Sequence, residues 1–157
     1  MIGNDVVDIQ LAKIESNWHR KGYLDKIFTK NEQIYISNSL EPDIAVWNLW
    51  TRKEAAYKIW NTQTGERKFN PTKLVCQDFE SEIGQVIIEN SIYYTKTLIS
   101  NKYIHTTAAT NLLDLHLIKI KDDSIRNIDY NSFKINKLAT SKSHHGNFEF
   151  IVYLQNS

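Results

Sequence analysis

Apolar and polar positions divide the chain into a helical first half and a strand-rich second half. Ile2 to Ile9 is a short β-branched stretch, Val6 and Val7 included, and predicts a strand that stops near Asp8. Asp5 and Asp8 interrupt it, and carboxylates at both positions do not belong to an ordinary core. From Leu11 to Lys26 the polarity is mixed, which reads as helix or loop with a break at Gly22. Thr29 stands three residues before Glu32, the capping-box spacing, and predicts a helix through about Ser39 that Pro42 ends. The clearest helix runs from Asp43 to Trp60: Asp43 is an acceptable N-cap, no Gly or Pro interrupts, and Val46, Trp50, Tyr57 and Trp60 recur at helical spacing. It ends before Gly65.

After Phe69-Asn70-Pro71 the pattern changes. Gln85 to Glu89, Ile92 to Ile99, Tyr103 to Thr110 and Leu115 to Lys121 are rich in Ile, Tyr and Thr and are separated by Asn or Asp turns, which predicts an antiparallel meander. Asp122 to Lys137 reads as a turn-rich, partly helical piece, and Phe148 to Leu154 alternates as a closing strand. Helices followed by strands imply an α+β fold with an antiparallel sheet packed against the long helix. With 157 residues and 41% apolar content, residues 1–157 are expected to form one domain around one sizeable core.

Charge adds exclusions. Nineteen basic against eighteen acidic residues leave a net charge of +1, with the two halves nearly balanced, so neither a nucleic-acid face nor a membrane-surface face is expected. Any anion site must be local. Cys76 stands alone, which excludes an internal disulfide or a zinc cluster and suits a reduced, cytoplasmic setting. Asp5 and Asp8 lie where a secretory leader would carry positive charge, and no 18-residue apolar run occurs, so neither export nor membrane insertion is expected.

Three groups of residues carry candidate chemistry. Trp47, Trp50 and Glu54 share a face of the long helix with Lys58 one turn further on; Glu54 is either half of a surface pair worth about 0.3 kcal/mol or a metal ligand beside an aromatic stripe. Asp5 and Asp8 are either a solvated strand end or oxygen ligands for a hard cation. Ser141-Lys142-Ser143-His144-His145-Gly146 is either a polar turn or an anion cradle, and neighbouring His residues on a strand would point to opposite faces. No glycine-rich phosphate loop is present, which disfavours other phosphotransferase classes.

Taken in order, Gly3-Asn4-Asp5-Val6-Val7-Asp8 and Trp50-Thr51-Arg52-Lys53-Glu54-Ala55-Ala56-Tyr57-Lys58 resemble the 4′-phosphopantetheinyl transferase superfamily. Phe28-Thr29-Lys30-Asn31-Glu32 is similar to its Phe-x-x-x-Glu segment, and Ser141-Lys142-Ser143-His144 to its Ser-x-Ser-His motif, here placed after Gly-x-Asp as in acyl-carrier-protein synthases. The resemblance implies Mg²⁺-dependent transfer of 4′-phosphopantetheine from coenzyme A to a serine of an apo acyl or peptidyl carrier protein. It implies Asp5 and Glu54 as metal ligands, with Asp8 the acidic position that follows, and Glu32 as a metal-proximal carboxylate or general base. Lys53 and Lys58 match lysines facing the coenzyme phosphates or the attacking hydroxyl, and Ser143 and His144 the group near the 3′-phosphate. The family cleft lies between two similar lobes, so a chain of this length is expected to complete it as a homo-oligomer, dimer or trimer. The rival expectation is a non-catalytic module that binds coenzyme A or a carrier protein.

Overall fold

A computed structural model describes residues 1–121 and 139–154. Strand β1 (Ile2–Asp8) ends where the Asp8 carboxylate accepts hydrogen bonds from the N–H groups of Gln10 and Leu11, at 3.1 and 3.2 Å, and so caps helix α1 (Ile9–Glu15). A short helix α2 (Tyr23–Ile27) follows the left-handed Gly22. Helix α3 (Lys30–Asn38) starts on the predicted capping box: the Glu32 N–H donates to Thr29 Oγ1, and the Thr29 N–H donates to Glu32 Oε2 at 2.8 Å.

Helix α4 (Pro42–Thr64) is longer than predicted at both ends. Pro42 takes the first helical position, where no N–H is needed, and Gly65 at φ 74° closes the C-terminus in the left-handed conformation. Asp43 therefore lies inside the first turn, where its Oδ1 accepts from Trp18 Nε1 at 2.6 Å instead of capping.

Strands β2 (Leu74–Gln77), β3 (Ile83–Ile88), β4 (Ser91–Ile99) and β5 (Tyr103–Ala109) form the antiparallel meander, and β1 joins beside β5 to give the order β1-β5-β4-β3-β2. Helix α4 lies across one face, burying Val46, Leu49, Ala56 and Ile59 against Val86, Ile88, Ile104 and Ala108. This is the α+β arrangement expected. At Gly3 the strand and helix touch: a Cβ there would collide with the Ala55 carbonyl oxygen, so only glycine allows the approach.

The segment from Leu115 to Lys121 corrects the sequence expectation. It is the end of helix α5 (Leu112–Leu117), capped by Asn111 Oδ1 on the Leu113 N–H, followed by the short strand β6 (Ile118–Ile120). Strand β7 (Thr140–His145) covers what the sequence offers as a turn or cradle, and β8 (Phe148–Leu154) closes the chain as predicted. These make a second antiparallel sheet, β6-β8-β7, over a small core of Ile2, Ala109, Leu115 and Val152. The piece predicted over 122–137 lies outside the described residues. No helix among the described residues is long and apolar enough to cross a membrane.

Candidate active site

Alternation along β1 turns Gly3 and Asp5 towards α4 and Asn4 towards the second sheet. Asp5 therefore sits mid-strand and not at the strand end, and only Asp8 marks the end. On α4, Lys58 donates to Asp5 Oδ1 at 3.1 Å and to the Asn4 carbonyl at 2.6 Å. Glu54, one turn before Lys58, joins Asp5 in the wall of a cleft of about 280 Å³ whose other sides are Trp47, Trp50, Tyr23, His144 and His145. The aromatic stripe and the carboxylate do share a face, as their spacing predicts.

The electrostatics of this pair are those of a charge awaiting a partner. Burial pushes the Glu54 carboxyl up to about 7, the Asp5 charge adds to that, and Lys58 opposes it. Burial also raises Asp5, against the Lys58 ammonium and a hydrogen bond from the Val6 N–H. Two half-buried carboxylates thus face one lysine, and a divalent cation would relieve the excess. Among the described residues no cluster of three His, Cys, Asp or Glu side chains surrounds such a point. Two carboxylates completed by water and phosphate oxygens suit Mg²⁺, which prefers octahedral oxygen coordination and retains waters. Asp5 and Glu54 fit that metal.

Strand β7 approaches from the opposite side. The Asp8 N–H donates to His145 Nδ1 at 2.8 Å, so that nitrogen carries a lone pair and the ring proton sits on Nε2, 3.3 Å from Glu15 Oε2. His144 is exposed on the rim of the cleft, while Ser143 is buried and its Oγ accepts from Asn4 Nδ2 at 2.8 Å.

The remaining sequence candidates lie elsewhere. Asp8 is held below the usual carboxylate range by hydrogen bonds from the N–H groups of Asn147 and Leu11, so both its oxygens are engaged in joining α1 and the β7–β8 turn to β1. Glu32 and Lys53 form an ion pair at 2.7 Å with both side chains at 0% exposure. Lys53 also donates to the carbonyls of Ile27 and Pro71, and Glu32 accepts from the N–H groups of Thr29 and Cys76. Neither residue lines the cleft.

Tyr23 and Asn4 are site-building residues to which the sequence gave no role, and His145, offered only within a turn or anion cradle, lines the cleft as well. For His145 a signal existed: with Ser141, Ser143 and His145 at alternate positions of a strand, all three face β1.

A strand-borne and a helix-borne carboxylate thus share one aromatic-walled cleft, with Lys58 bonded to the first of them. The model of the 4′-phosphopantetheinyl transferase superfamily matches residues 1–108, and the chain belongs to that family. The match runs from β1 through β5 and takes in Asp5, Glu32, Lys53, Glu54 and Lys58, stopping short of the second sheet. A holo-[acyl-carrier-protein] synthase of Protochlamydia amoebophila (strain UWE25) is 38% identical over 61 residues, which is 39% of this chain and 50% of that protein. The chain thus spans about half the length of the curated relative it matches.

Proposed function

We propose that the protein transfers 4′-phosphopantetheine from coenzyme A to a serine of an apo acyl or peptidyl carrier protein and releases adenosine 3′,5′-bisphosphate. The observation that carries this reading is the meeting of Asp5 and Glu54 in one aromatic-walled cleft, with Lys58 bonded to Asp5, in a chain of this family. Asp5 and Glu54 would hold Mg²⁺, which when bound neutralises charge on the pyrophosphate. Lys58, fixed by Asp5 and the Asn4 carbonyl, would present its ammonium to the oxygens on which charge grows as the serine oxygen attacks phosphorus, its proton passing to water at the mouth of the cleft, and as the bond to the bridging oxygen breaks to release adenosine 3′,5′-bisphosphate. His144, exposed on the rim, would meet the anionic far end of the coenzyme. Trp47 and Trp50 keep water from the reacting phosphate.

We assign Asp8 to joining three elements, Ser143 to holding Asn4, and the Glu32–Lys53 pair to bracing the helices beneath the cleft. We infer that the protein acts in the cytoplasm, where its substrates meet.

Incubation with Mg²⁺, coenzyme A and a panel of apo carrier proteins, followed by mass measurement, is expected to show one carrier gaining the phosphopantetheine mass, and chelation of the metal is expected to abolish the gain. Glu54→Gln should lower turnover at least ~100-fold while cooperative unfolding is kept. If no carrier gains mass and calorimetry shows coenzyme A binding indifferent to Mg²⁺, the protein is a binding module and the transferase reading fails.

A further inference from the structure

The ladder between β4 and β5 sets Lys96 opposite Thr107 and Leu98 opposite His105. Side chains alternate across a sheet, and with Thr106 and Ala108 turned towards α4 these four point to the other face. There they meet α5 and β6, and a cavity of about 290 Å³ remains between the two layers. Leu98, Leu115, Ile118 and Ile120 give it an apolar wall. Glu82 and Lys96, both exposed, pair at 3.4 Å along it, so their charges cancel, and His116 is exposed as well. None of these residues lines the cleft of Asp5 and Glu54.

His105 is 2% exposed, and its ring stacks on Phe150 with centroids 4.2 Å apart. Burial keeps it neutral, so one ring nitrogen donates and the other accepts. Asn4 decides which. Its Nδ2 lies 3.2 Å from His105 Nε2, and also faces Ser143 Oγ at 2.8 Å and the Phe150 carbonyl at 3.2 Å. A carbonyl only accepts, so the amide turns its NH₂ that way, although this leaves Oδ1 without a partner. Nε2 of His105 therefore accepts from Asn4, and the ring proton sits on Nδ1. Among the described residues nothing bonds Nδ1. Asn4 Oδ1 is the one fully enclosed side-chain nitrogen or oxygen among them that lacks a partner, so Nδ1 is not enclosed: it opens onto the cavity that His105 lines. Thr107 offers no second donor, because its hydroxyl is turned to the Lys96 carbonyl at 3.4 Å. One donor thus stands unused in a space with an apolar wall, and a charged ligand would lose its water there without gaining a free ion to face.

We propose that this cavity is a second binding site, for a small uncharged molecule with an apolar body and one acceptor oxygen, such as an amide or ketone carbonyl. The His105 Nδ1–H binds the oxygen, and the body lies against Leu98, Leu115, Ile118 and Ile120. The site stands apart from the proposed active cleft and holds whether or not the chain is a transferase.

N-methylcaprolactam, whose carbonyl accepts and which carries neither charge nor N–H, is titrated into isotope-labelled protein beside two charged relatives of the same ring size, cycloheptanecarboxylate and the N-methylazepane cation. The lactam is expected to shift the Nδ1 signal of His105 and the methyl signals of Leu115 and Ile118 along a saturating curve. Each charged relative should bind at least ~10-fold more weakly, since its ionised group would be buried unpaired. A charged relative that binds as well as the lactam, or no saturable shift with any of them, would overturn the proposal. His105→Phe keeps a ring against Phe150, and Asn4 Nδ2 keeps Ser143 Oγ and the Phe150 carbonyl, so the folded variant should lose at least ~10-fold in lactam affinity. Unaltered affinity there would remove His105 as the donor. Leu98→Trp, at a position 53% exposed, reaches over the cavity from outside the core and should abolish the shifts even if His105→Phe does not fold. Shifts that persist in it would place the lactam elsewhere and end the proposal.

Discussion

Glu54 and His105 pull stability in opposite directions with pH. The Glu54 carboxyl, raised by burial from 4.5 to about 7, binds its proton more tightly folded than unfolded, so stability is lost as pH rises between those values. His105 is 2% exposed, and burial followed by the Lys58 charge lowers it to about 4 from 6.5. Its folded form is neutral, and the stability that brings is complete above 6.5 and is lost as pH falls towards 4, by roughly 3 kcal/mol at the limit. The two slopes oppose each other where their windows overlap. Removing the Glu54 titration should therefore unmask the other: metal-free Glu54→Gln is expected to gain stability, relative to the wild type, as pH rises from 4.5 to 7 in urea titrations. Parallel profiles would show that Glu54 is not perturbed. Because a ligating carboxylate must be ionised, Mg²⁺ should also bind more tightly as pH rises through about 7.

At the scale of elements, the buried Glu32–Lys53 pair separates chemistry from architecture. Lys53→Met leaves the Glu32 carboxylate buried without its counter-charge, which costs about 3–5 kcal/mol. Adding Glu32→Gln removes the stranded charge and keeps an acceptor for Thr29 or Cys76, so the double variant should be more stable than Lys53→Met alone. Where it folds, its transfer rate should stay near the wild type, and a lost rate in a folded double variant would return the pair to the chemistry. The capping box that begins α3 was legible because Thr29 and Glu32 are neighbours in sequence, and α4 because its apolar period is long. The carboxylates of the site were legible only through a family resemblance, since residue types alone left Asp5 and Glu54 open to surface readings. Strand β7 was not legible as a strand. Its inward positions are Ser141, Ser143 and His145, satisfied by hydrogen bonds to β1 where an apolar alternation would have announced a strand. The split of 115–121 into helix and strand was hidden because the Asn111 cap outweighs a β-rich composition too short to decide alone.

At the scale of the whole molecule, a net charge of +1 conceals an uneven surface. Lys13, Arg20, Lys21, Lys26 and Lys30 are all exposed from α1 to the start of α3, against only Glu15 and Asp25, so the rest of the chain is net acidic. Ile14, 83% exposed, stands among them as an apolar contact. The same stretch sends Ala12, Ser16 and Tyr23 into the wall of the cleft, so a partner resting on these cations would bring a serine towards Asp5 and Glu54. A proposed carrier with an acidic face would have the complementary charge. Contacts of this rim type act mainly on encounter and are screened by salt. Lys13→Glu with Arg20→Glu is therefore expected to raise the carrier KM at least ~10-fold, leave the coenzyme A KM unchanged, and flatten the fall of kcat/KM with added salt. Both residues are exposed, and the contact Arg20 makes over the half-buried Tyr23 ring, 5.4 Å to its centroid, is worth only about 0.5–1 kcal/mol, so thermal stability should fall by no more than that. An equal rise in both KM values, or an unaltered salt slope, would move the carrier to a different face.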